Sequence, residues 1–212
     1  MSPPGLTVLV LAKAPVPGLS KTRLAPVFGL EGAAILAAAA LGDTLEAVSA
    51  APAVRRVLVL AGDLAMPLPA GFEVVPQVEG DHAERIAAAF EVASGPALLI
   101  GMDTPQVTPE LLSLDLSRPG VTAWLGPALD GGWWALGLRD PLRQARRVLT
   151  GVPMSTPATG RLQHRRLVEA SLTVAPLPLL RDVDEPADAF TVAAEAPGTR
   201  FARALAALRD AA

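Results

Sequence analysis

Short apolar runs alternate along the 212-residue chain with longer segments of helical character. The first run, residues 6–12, is unbroken, short and partly β-branched, which is typical of a buried strand. Similar patterns predict further strands at residues 54–61, 72–76, 96–101, 121–126, 133–138 and 172–176. Helices are predicted at residues 31–50, from 81 onward, at 108–116, 140–149 and 156–170, from 186 onward, and from 199 to the C-terminus.

Strands that alternate with helices predict βαβ units, and therefore an α/β fold with a mainly parallel sheet and helices on both faces. The two runs on either side of Asp130 resemble a hairpin and predict an antiparallel element in that sheet. We find no internal repeat and no linker, so we expect one domain over residues 1–212. In such sheets ligands bind outside the carboxyl ends of the strands.

Composition narrows the class of protein. Cysteine is absent, which excludes disulfides and thiolate metal sites and favours a reducing compartment. The net charge of −3 argues against a protein that binds nucleic acid through bulk electrostatics. The first five residues lack the cationic region of a signal peptide. The longest uncharged helical stretch, residues 32–42, is shorter than the ~20 residues that cross a bilayer. We therefore expect a cytoplasmic protein that binds neither membrane nor nucleic acid; its oligomeric state stays open.

The loop after the first strand concentrates positive charge. It carries Lys13, Lys21 and Arg23, and no acidic residue precedes Glu31. Cations without a local partner at the end of a buried strand favour an anion site, with phosphate as the most plausible ligand. An ordinary solvated loop is the alternative.

Asp103 directly follows the strand predicted at residues 96–101, in the segment Gly-Met-Asp-Thr-Pro. Mg²⁺ prefers one or two carboxylates and leaves its other positions to water and phosphate oxygens. Asp103 is therefore a candidate magnesium ligand at the same sheet edge as the cationic loop. Alternatively, its side chain closes an Asx-type turn before Pro105.

Two later aspartate segments are also candidates. Asp130-Gly-Gly forms a strong hairpin signal, and its glycines also permit close approach of a ligand, with Trp133 and Trp134 available to line a sugar or base. Asp182 and Asp184 lie in a turn before Pro186, where Asp184 either ligates a metal or caps the following helix.

Other chemistries have little support in the sequence. His82 and His164 lack metal-ligand spacing, and no Gly-x-Ser-x-Gly nucleophile motif occurs. The arginines after Asp140 are more consistent with a solvated face than with a nucleic-acid patch.

Several motifs occur in order along the chain. The clearest is the run from Ala12 to Pro26, Ala-Lys-Ala-Pro-Val-Pro-Gly-Leu-Ser-Lys-Thr-Arg-Leu-Ala-Pro. The others are Gly80-Asp81 to Arg85, Gly101 to Pro105, Gly126-Pro127, Asp130 to Gly132, Pro153 to Thr156 and Asp182 to Asp184. With these motifs the sequence resembles the bacterial radical-SAM/selenodomain-associated transferases, also called glycosyltransferase-like proteins. The chain departs from the family at His82-Ala83, where Leu-Gly is usual, at Trp133, where tyrosine is common, and at Met154, where tryptophan is frequent.

The resemblance implies a single Rossmann-like domain of the nucleotide-diphospho-sugar transferase (GT-A) fold, related to guanylyltransferases of molybdenum-cofactor and phospholactate metabolism. It implies that Asp103 binds Mg²⁺ and that Asp184 is a second ligand. The residues that we expect to bind the nucleotide are Leu11, Ala12, Lys13, Lys21, Arg23, Gly80, Asp81 and Arg85. Those expected to contact the acceptor or sugar are Asp130, Gly131, Gly132 and Trp133.

Our first functional hypothesis is a Mg²⁺-dependent nucleotidyltransferase, in which a small acceptor bearing a phosphate or acid attacks the α-phosphorus of a nucleoside triphosphate. Lys21, Arg23 and Asp103 would be its catalytic residues, since phosphoryl transfer depends mainly on positioning and charge stabilisation. A glycosyltransferase that uses a nucleotide-diphospho-sugar is the second hypothesis, and a non-catalytic nucleotide-binding protein is the third.

Overall fold

A computed structural model describes residues 5–210 of the chain. Three parts of the sequence predictions fall outside the described residues: most of the segment considered for a signal peptide, the two ends of the predicted domain, and the last two residues of the helix predicted from 199 to the C-terminus. The strands are β1 (Thr7–Lys13), β2 (Arg55–Ala61), β3 (Phe72–Pro76), β4 (Ala97–Ile100), β5 (Ala123–Pro127), β6 (Trp133–Leu138) and β7 (Val174–Pro176). The helices are α1 (Ala25–Ala50), α2 (His82–Phe90), α3 (Pro141–Leu149), α4 (Thr159–Glu169), α5 (Pro186–Glu195) and α6 (Arg200–Asp210).

All seven described strands form one sheet in the order β3-β2-β1-β4-β6-β5-β7. The strand β6 is antiparallel to both of its neighbours, and the other pairs are parallel. The predicted fold class, a mainly parallel sheet with an antiparallel element, is therefore confirmed. Because only β6 is reversed, its first residue lies at the edge where the other strands end.

Apolar residues that alternate along β1 build a core on each face of the sheet. Val8 and Val10 pack with Leu41 and Leu45 of α1 on one face, whereas Leu9 packs with residues of α2, α3 and α4 on the other. The helices α5 and α6 cover the outer side of α1. Helices thus lie on both faces, as the sequence predicts.

The first helix is longer than the predicted span of residues 31–50. A short 3-10 turn, Thr22–Leu24, leads into α1 at Ala25, and Gly29 interrupts the helical geometry with a φ of 70°. The whole segment Thr22–Ala50 is long and apolar enough to cross a membrane by length and composition, with a mean hydropathy of 1.9. Such a helix is weak evidence for a span, because its core-facing side is buried in this fold. The cytoplasmic location stays a prediction.

The prediction of a helix at residues 108–116 is wrong. This segment forms consecutive turns, with short-range bonds from the Leu112 amide to the Pro109 carbonyl and from the Leu116 amide to the Leu114 carbonyl. The Asp115 carboxylate then accepts hydrogen bonds from the amide and hydroxyl of Ser117. Side chains that bond the local backbone in this way compete with the helical ladder. Apart from this segment and the first helix, the predicted elements are present, with ends shifted by at most three residues.

Candidate active site

A cleft of about 680 Å³ opens at the sheet edge where β1, β4, β5 and β7 end and β6 begins. Its walls include most of the predicted site residues that lie after β4 and β5, together with residues that the sequence did not single out. The lining residues that bear on chemistry are Leu11, Arg23, His82, Asp103, Thr104, Asp130, Gly132, Trp133, Asp182, Asp184, Glu185 and Asp188.

Lys21 contacts two carboxylates at this edge. Its Nζ lies 3.0 Å from Oδ2 of Asp103 and donates to Oδ1 of Asp184 at 2.7 Å, and only 13% of its side chain is exposed. Burial acts to lower the pKa of Lys21, but the two carboxylates outweigh it and raise the pKa above its ordinary value. The ammonium is therefore charged at neutral pH, and it joins the cationic loop to both predicted metal ligands.

The loop is held at both sides of Lys21. Before it, the Ser20 hydroxyl donates to the Ala14 carbonyl at 2.7 Å, and after it the side chain of Leu24 is fully buried. Lys21 itself has left-handed backbone geometry, with a φ of 48°. Arg23 is more exposed, at 66% of its side chain, and its Nη1 lies 3.4 Å from Asp184 Oδ2.

Asp103 and Asp184 do not act in the local turns that were their alternative explanations. Within the described residues, the Asp103 carboxylate makes its polar contact with Lys21, and no bond to a neighbouring backbone amide is found. The cap of α5 comes from Asp188, whose Oδ2 accepts from the Glu185 amide at 2.9 Å. Both aspartates are thereby left to face the cleft.

Asp182 joins Asp184 and Asp130 in an acidic cluster, in which one carboxylate oxygen of each lies within 4.8 Å of the others. Burial, then Asp130, then Asp184 raise the pKa of Asp182 to about 6. Asp182 was not among the site residues predicted from the sequence. The alternation of Asp182, Val183 and Asp184 is a sequence signal that could have identified Asp182. In the structure Val183 is buried, and its amide donates to the Asp103 carbonyl at 2.8 Å.

Asp130, Gly131 and Gly132 form the turn between β5 and β6, so the predicted hairpin is present. The Asp130 carboxylate accepts a hydrogen bond from the Gly132 amide at 2.6 Å, which orients it within the turn. A Cβ at Gly131 would lie 2.1 Å from the carbonyl oxygen of Pro157, and the φ of Gly131 is +90°. The glycine is required by the approach of the loop before α4, and no ligand is needed to explain it.

The two tryptophans have different environments. Trp134 is buried in the core, and its indole N–H donates to the Pro178 carbonyl at 2.9 Å. The indole nitrogen of Trp133 is buried without a partner among the described residues, at the wall of the cleft. The Thr104 hydroxyl, in the same wall, is also buried and has no partner within residues 5–210. Both are therefore buried polar groups in the cleft wall for which the described residues supply no partner.

The segment from Gly80 to Arg85 lies beside the cleft. Asp81 caps α2 and forms a reciprocal pair with Glu84, while Arg85 donates to the Gln77 side chain at 3.3 Å. His82 lines the cleft, although its spacing in the sequence gave no reason to include it. Burial and the nearby Arg85 lower the pKa of His82, so its imidazole is neutral at physiological pH.

The predicted residues therefore divide into two groups. Arg23, Asp103, Asp130, Gly132, Trp133, Asp184 and Leu11 line one cleft, and Lys21 contacts two of them. The other predicted residues are outside its lining but close to the same sheet edge: Ala12 and Lys13 end β1, Gly80 and Asp81 precede α2, Arg85 lies in α2, and Gly131 lies in the turn between β5 and β6.

Comparison with known proteins places the chain in a family. A family model described as "Uncharacterized protein conserved in bacteria (DUF2064)" matches residues 44–156, which is more than half of the chain. The chain belongs to this family. No curated protein matches it in sequence.

Solved structures show a similar fold. A Desulfovibrio desulfuricans G20 protein, presented as a candidate nucleotide-diphospho-sugar transferase, is 28% identical, with a TM-score of 0.74 over 85% of this chain and 82% of its own. Rv0371c of Mycobacterium tuberculosis H37Rv, in complex with manganese, is 24% identical, with a TM-score of 0.56 over 89% and 98% of the two chains. A nucleotidyl transferase from Methanothermobacter, Mth528, is 16% identical, with a TM-score of 0.62 over 94% and 98%. The last two show likeness of fold alone.

Proposed function

We propose that this protein is a Mg²⁺-dependent nucleotidyltransferase that transfers a nucleoside monophosphate from a nucleoside triphosphate to a small acceptor bearing a phosphate or acid. One observation carries the proposal: Lys21 contacts both Asp103 and Asp184, which brings the cationic loop and the predicted metal ligands into one hollow. Cations and carboxylates at the rim of a parallel sheet suit a polyphosphate bound with a divalent cation.

The donor set fits a hard divalent cation. Asp103 and Asp184 would hold Mg²⁺, and Asp130 and Asp182 lie close enough to Asp184 to supply further carboxylate oxygens. Carboxylates of this kind are the ligands that Mg²⁺ and Mn²⁺ prefer. When bound, the cation would supply positive charge to the phosphate oxygens. The manganese complex of Rv0371c supports divalent-metal binding in this fold without selecting Mg²⁺.

The residues of the chain then have distinct tasks. Lys21 and Arg23 would offset the charge of the leaving pyrophosphate, with Lys13 at the outer end of β1. An acceptor oxygen would form the new bond to the α-phosphorus as the bond from that phosphorus to the bridging oxygen breaks. A phosphate or carboxylate acceptor brings no proton that must be removed. Asp130 would accept the proton from a hydroxyl acceptor.

The nucleoside would lie between β1 and α2. Leu11 and Ile86 give this side of the cleft an apolar surface, and His82 adds a polar edge. The Gly80-Asp81 turn and Arg85 border the same space from outside the lining. The Ala12 carbonyl, also expected near the nucleotide, accepts a hydrogen bond from the Gln77 side chain at 2.7 Å.

A glycosyltransferase is the second candidate, and a separate observation favours it. The Desulfovibrio protein, the most similar by TM-score of the three structures above, is presented as a candidate nucleotide-diphospho-sugar transferase. Lys21 is also already paired with two carboxylates, so fewer of the three loop cations stay available for a triphosphate. As a glycosyltransferase, the protein would use Asp130 and Trp133 to contact the sugar and acceptor, in keeping with the radical-SAM-associated transferase family that the sequence resembles.

A thermal-shift screen with GTP, CTP, ATP, UDP-glucose and GDP-mannose, each with and without Mg²⁺, separates these functions. A ligand present at a hundredfold excess over its dissociation constant stabilises a protein by ~2.7 kcal/mol. A shift with a triphosphate supports nucleotidyl transfer, and a shift restricted to nucleotide sugars supports glycosyl transfer. Binding without turnover of any tested donor would favour the non-catalytic hypothesis.

Matched variants test the site. Asp103→Asn should abolish the Mg²⁺-dependent part of the shift and lower turnover by ~100-fold, comparable to the loss of a group that stabilises charge in a transition state. Glu195→Gln makes the same change of charge at an exposed residue at the far end of α5 and should leave both unchanged. Near-normal turnover of Asp103→Asn would reject the proposed role of Asp103.

A further inference from the structure

The Lys21 ammonium lies where two carboxylates would otherwise meet a metal ion. Its Nζ is 3.0 Å from Asp103 Oδ2 and 2.7 Å from Asp184 Oδ1, so one cation contacts both proposed metal ligands. Like charges cannot be brought close together at a partly buried site without a large energetic cost. A divalent cation that binds these oxygens must therefore displace Lys21.

The backbone around Lys21 is suited to such a movement. Lys21 has a φ of 48° and a ψ of 41°, a left-handed conformation that is unfavourable for a residue with a side chain. The two ion pairs compensate for this cost while they exist. Ser20 and Leu24 are anchored on either side, which confines a change to the three residues between them.

We propose that Lys21 couples the binding of metal to the binding of nucleotide, and we call this coupling the Lys21 interlock. Without nucleotide, its ammonium occupies the oxygens of Asp103 and Asp184 and weakens the binding of metal. Phosphates at the cleft offer Lys21 another anionic partner, so the carboxylates are released to the metal that accompanies them. Metal and nucleotide then bind with positive coupling, which is reciprocal by thermodynamic necessity. This inference rests on the proposed function, since it needs a polyphosphate ligand.

The test measures Mn²⁺ binding without nucleotide, by the electron paramagnetic resonance of free Mn²⁺ and by calorimetry. Lys21→Met removes the charge with a side chain of similar length, and Lys21→Gln does so while keeping a hydrogen-bond donor for the carboxylates. Lys21→Arg keeps the charge. Lys13→Met is the matched control: it removes a cation at the end of β1, before the loop that carries Lys21, at a residue that forms no ion pair with other described residues.

We expect Lys21→Met and Lys21→Gln to bind Mn²⁺ at least about tenfold more tightly than the wild type, within the ~5–150-fold range of typical coupling. Lys21→Arg and Lys13→Met should stay within about threefold of the wild type, since the first keeps the competing charge and the second lies outside the ion pairs. The melting temperature in saturating Mn²⁺ gives a second measurement. A variant that binds Mn²⁺ more tightly than the wild type should gain more thermal stability from it.

Equal or weaker Mn²⁺ affinity in both neutral variants, with circular dichroism like that of the wild type, would overturn the interlock. The proposed function would survive that result if a nucleotide still gave its Mg²⁺-dependent thermal shift. Equal tightening in Lys13→Met would also overturn it, because the effect would then be one of net charge. Absence of Mn²⁺ binding in every variant would overturn both the interlock and the metal-dependent function.

Discussion

Asp182 titrates outside the ordinary range of a carboxyl group because it is partly buried and two of its neighbours are carboxylates. Burial and the charges of Asp130 and Asp184 raise its pKa from 3.8 to about 6. Between these two values the folded protein binds more protons at this site than the unfolded chain does. The ionised side chain therefore destabilises the metal-free fold above about pH 6, and this penalty shrinks as the pH falls between the two values and disappears near pH ~3.

In metal-free buffer, Asp182→Asn should raise the free energy of unfolding by ~1 kcal/mol at about pH 8, after allowance for solvent screening of a partly exposed group. The difference from the wild type should shrink below about pH 6 and vanish only near pH ~3, where the carboxyl is largely protonated in both the folded and the unfolded state. Urea unfolding at several pH values measures it. A constant difference over this whole pH range would contradict the electrostatic origin.

At the scale of elements, the turn between β5 and β6 connects the Asp130 side of the cleft to α4. Gly131 reaches the Pro157 backbone, and the Gly160 amide donates to the Gly131 carbonyl at 2.8 Å. The position of Asp130 therefore depends on a contact between two loops that are distant from each other in the chain.

Gly131→Ala should destabilise the protein by ~2–3 kcal/mol, because it combines positive-φ strain with a collision at the Pro157 carbonyl. Gly120→Ala is the matched control: its φ is +79°, but no atom lies within 4 Å of the position that a Cβ would take, so ~1 kcal/mol of backbone strain is expected. Thermal unfolding of both variants measures the difference. Equal losses of stability in the two variants would show that the contact with Pro157 does not contribute to the effect of Gly131→Ala.

Local sequence patterns were sufficient to predict some of the strands and helices and insufficient for others. Buried strands were predictable because a strand covered on both faces must be a short apolar run, as in β1 and β4. The turns at residues 108–116 were not predictable in this way. The threonine and proline of this segment favour the start of a helix, whereas the Asp115 side chain accepts a hydrogen bond from the following turn. The first turns of α1 were obscured by Gly29, whose positive φ breaks the helical pattern.

Across the whole molecule, the cleft has more acidic than basic groups in its lining. Asp103, Asp130, Asp182, Asp184, Glu185 and Asp188 line it, against the guanidinium of Arg23 and a neutral imidazole. Such a surface repels a free polyphosphate, and the repulsion is stronger at low ionic strength. Bound divalent cations would offset this local excess of negative charge.

Removal of divalent metal with EDTA should therefore weaken nucleotide binding by about 100-fold or more, corresponding to ~2.7 kcal/mol. Calorimetry with the nucleotide selected by the thermal-shift screen measures this change. With EDTA present, a rise in salt from low to ~0.5 M should partly restore weak binding, because it screens the repulsion. Metal-independent binding of unchanged affinity would contradict the proposed site.

The sequence by itself determined the α/β class, the strands and the grouping of candidate residues at one sheet edge, because strand burial, turns and parallel crossovers follow from local patterns. It also singled out Lys21, Asp103 and Asp184 separately as candidate site residues. Only the tertiary structure decided that these three meet, since Lys21 and Asp184 are 163 residues apart in the chain. It likewise decided the pKa of Asp182, because a charge responds to every neighbour in space, whatever the distance along the sequence.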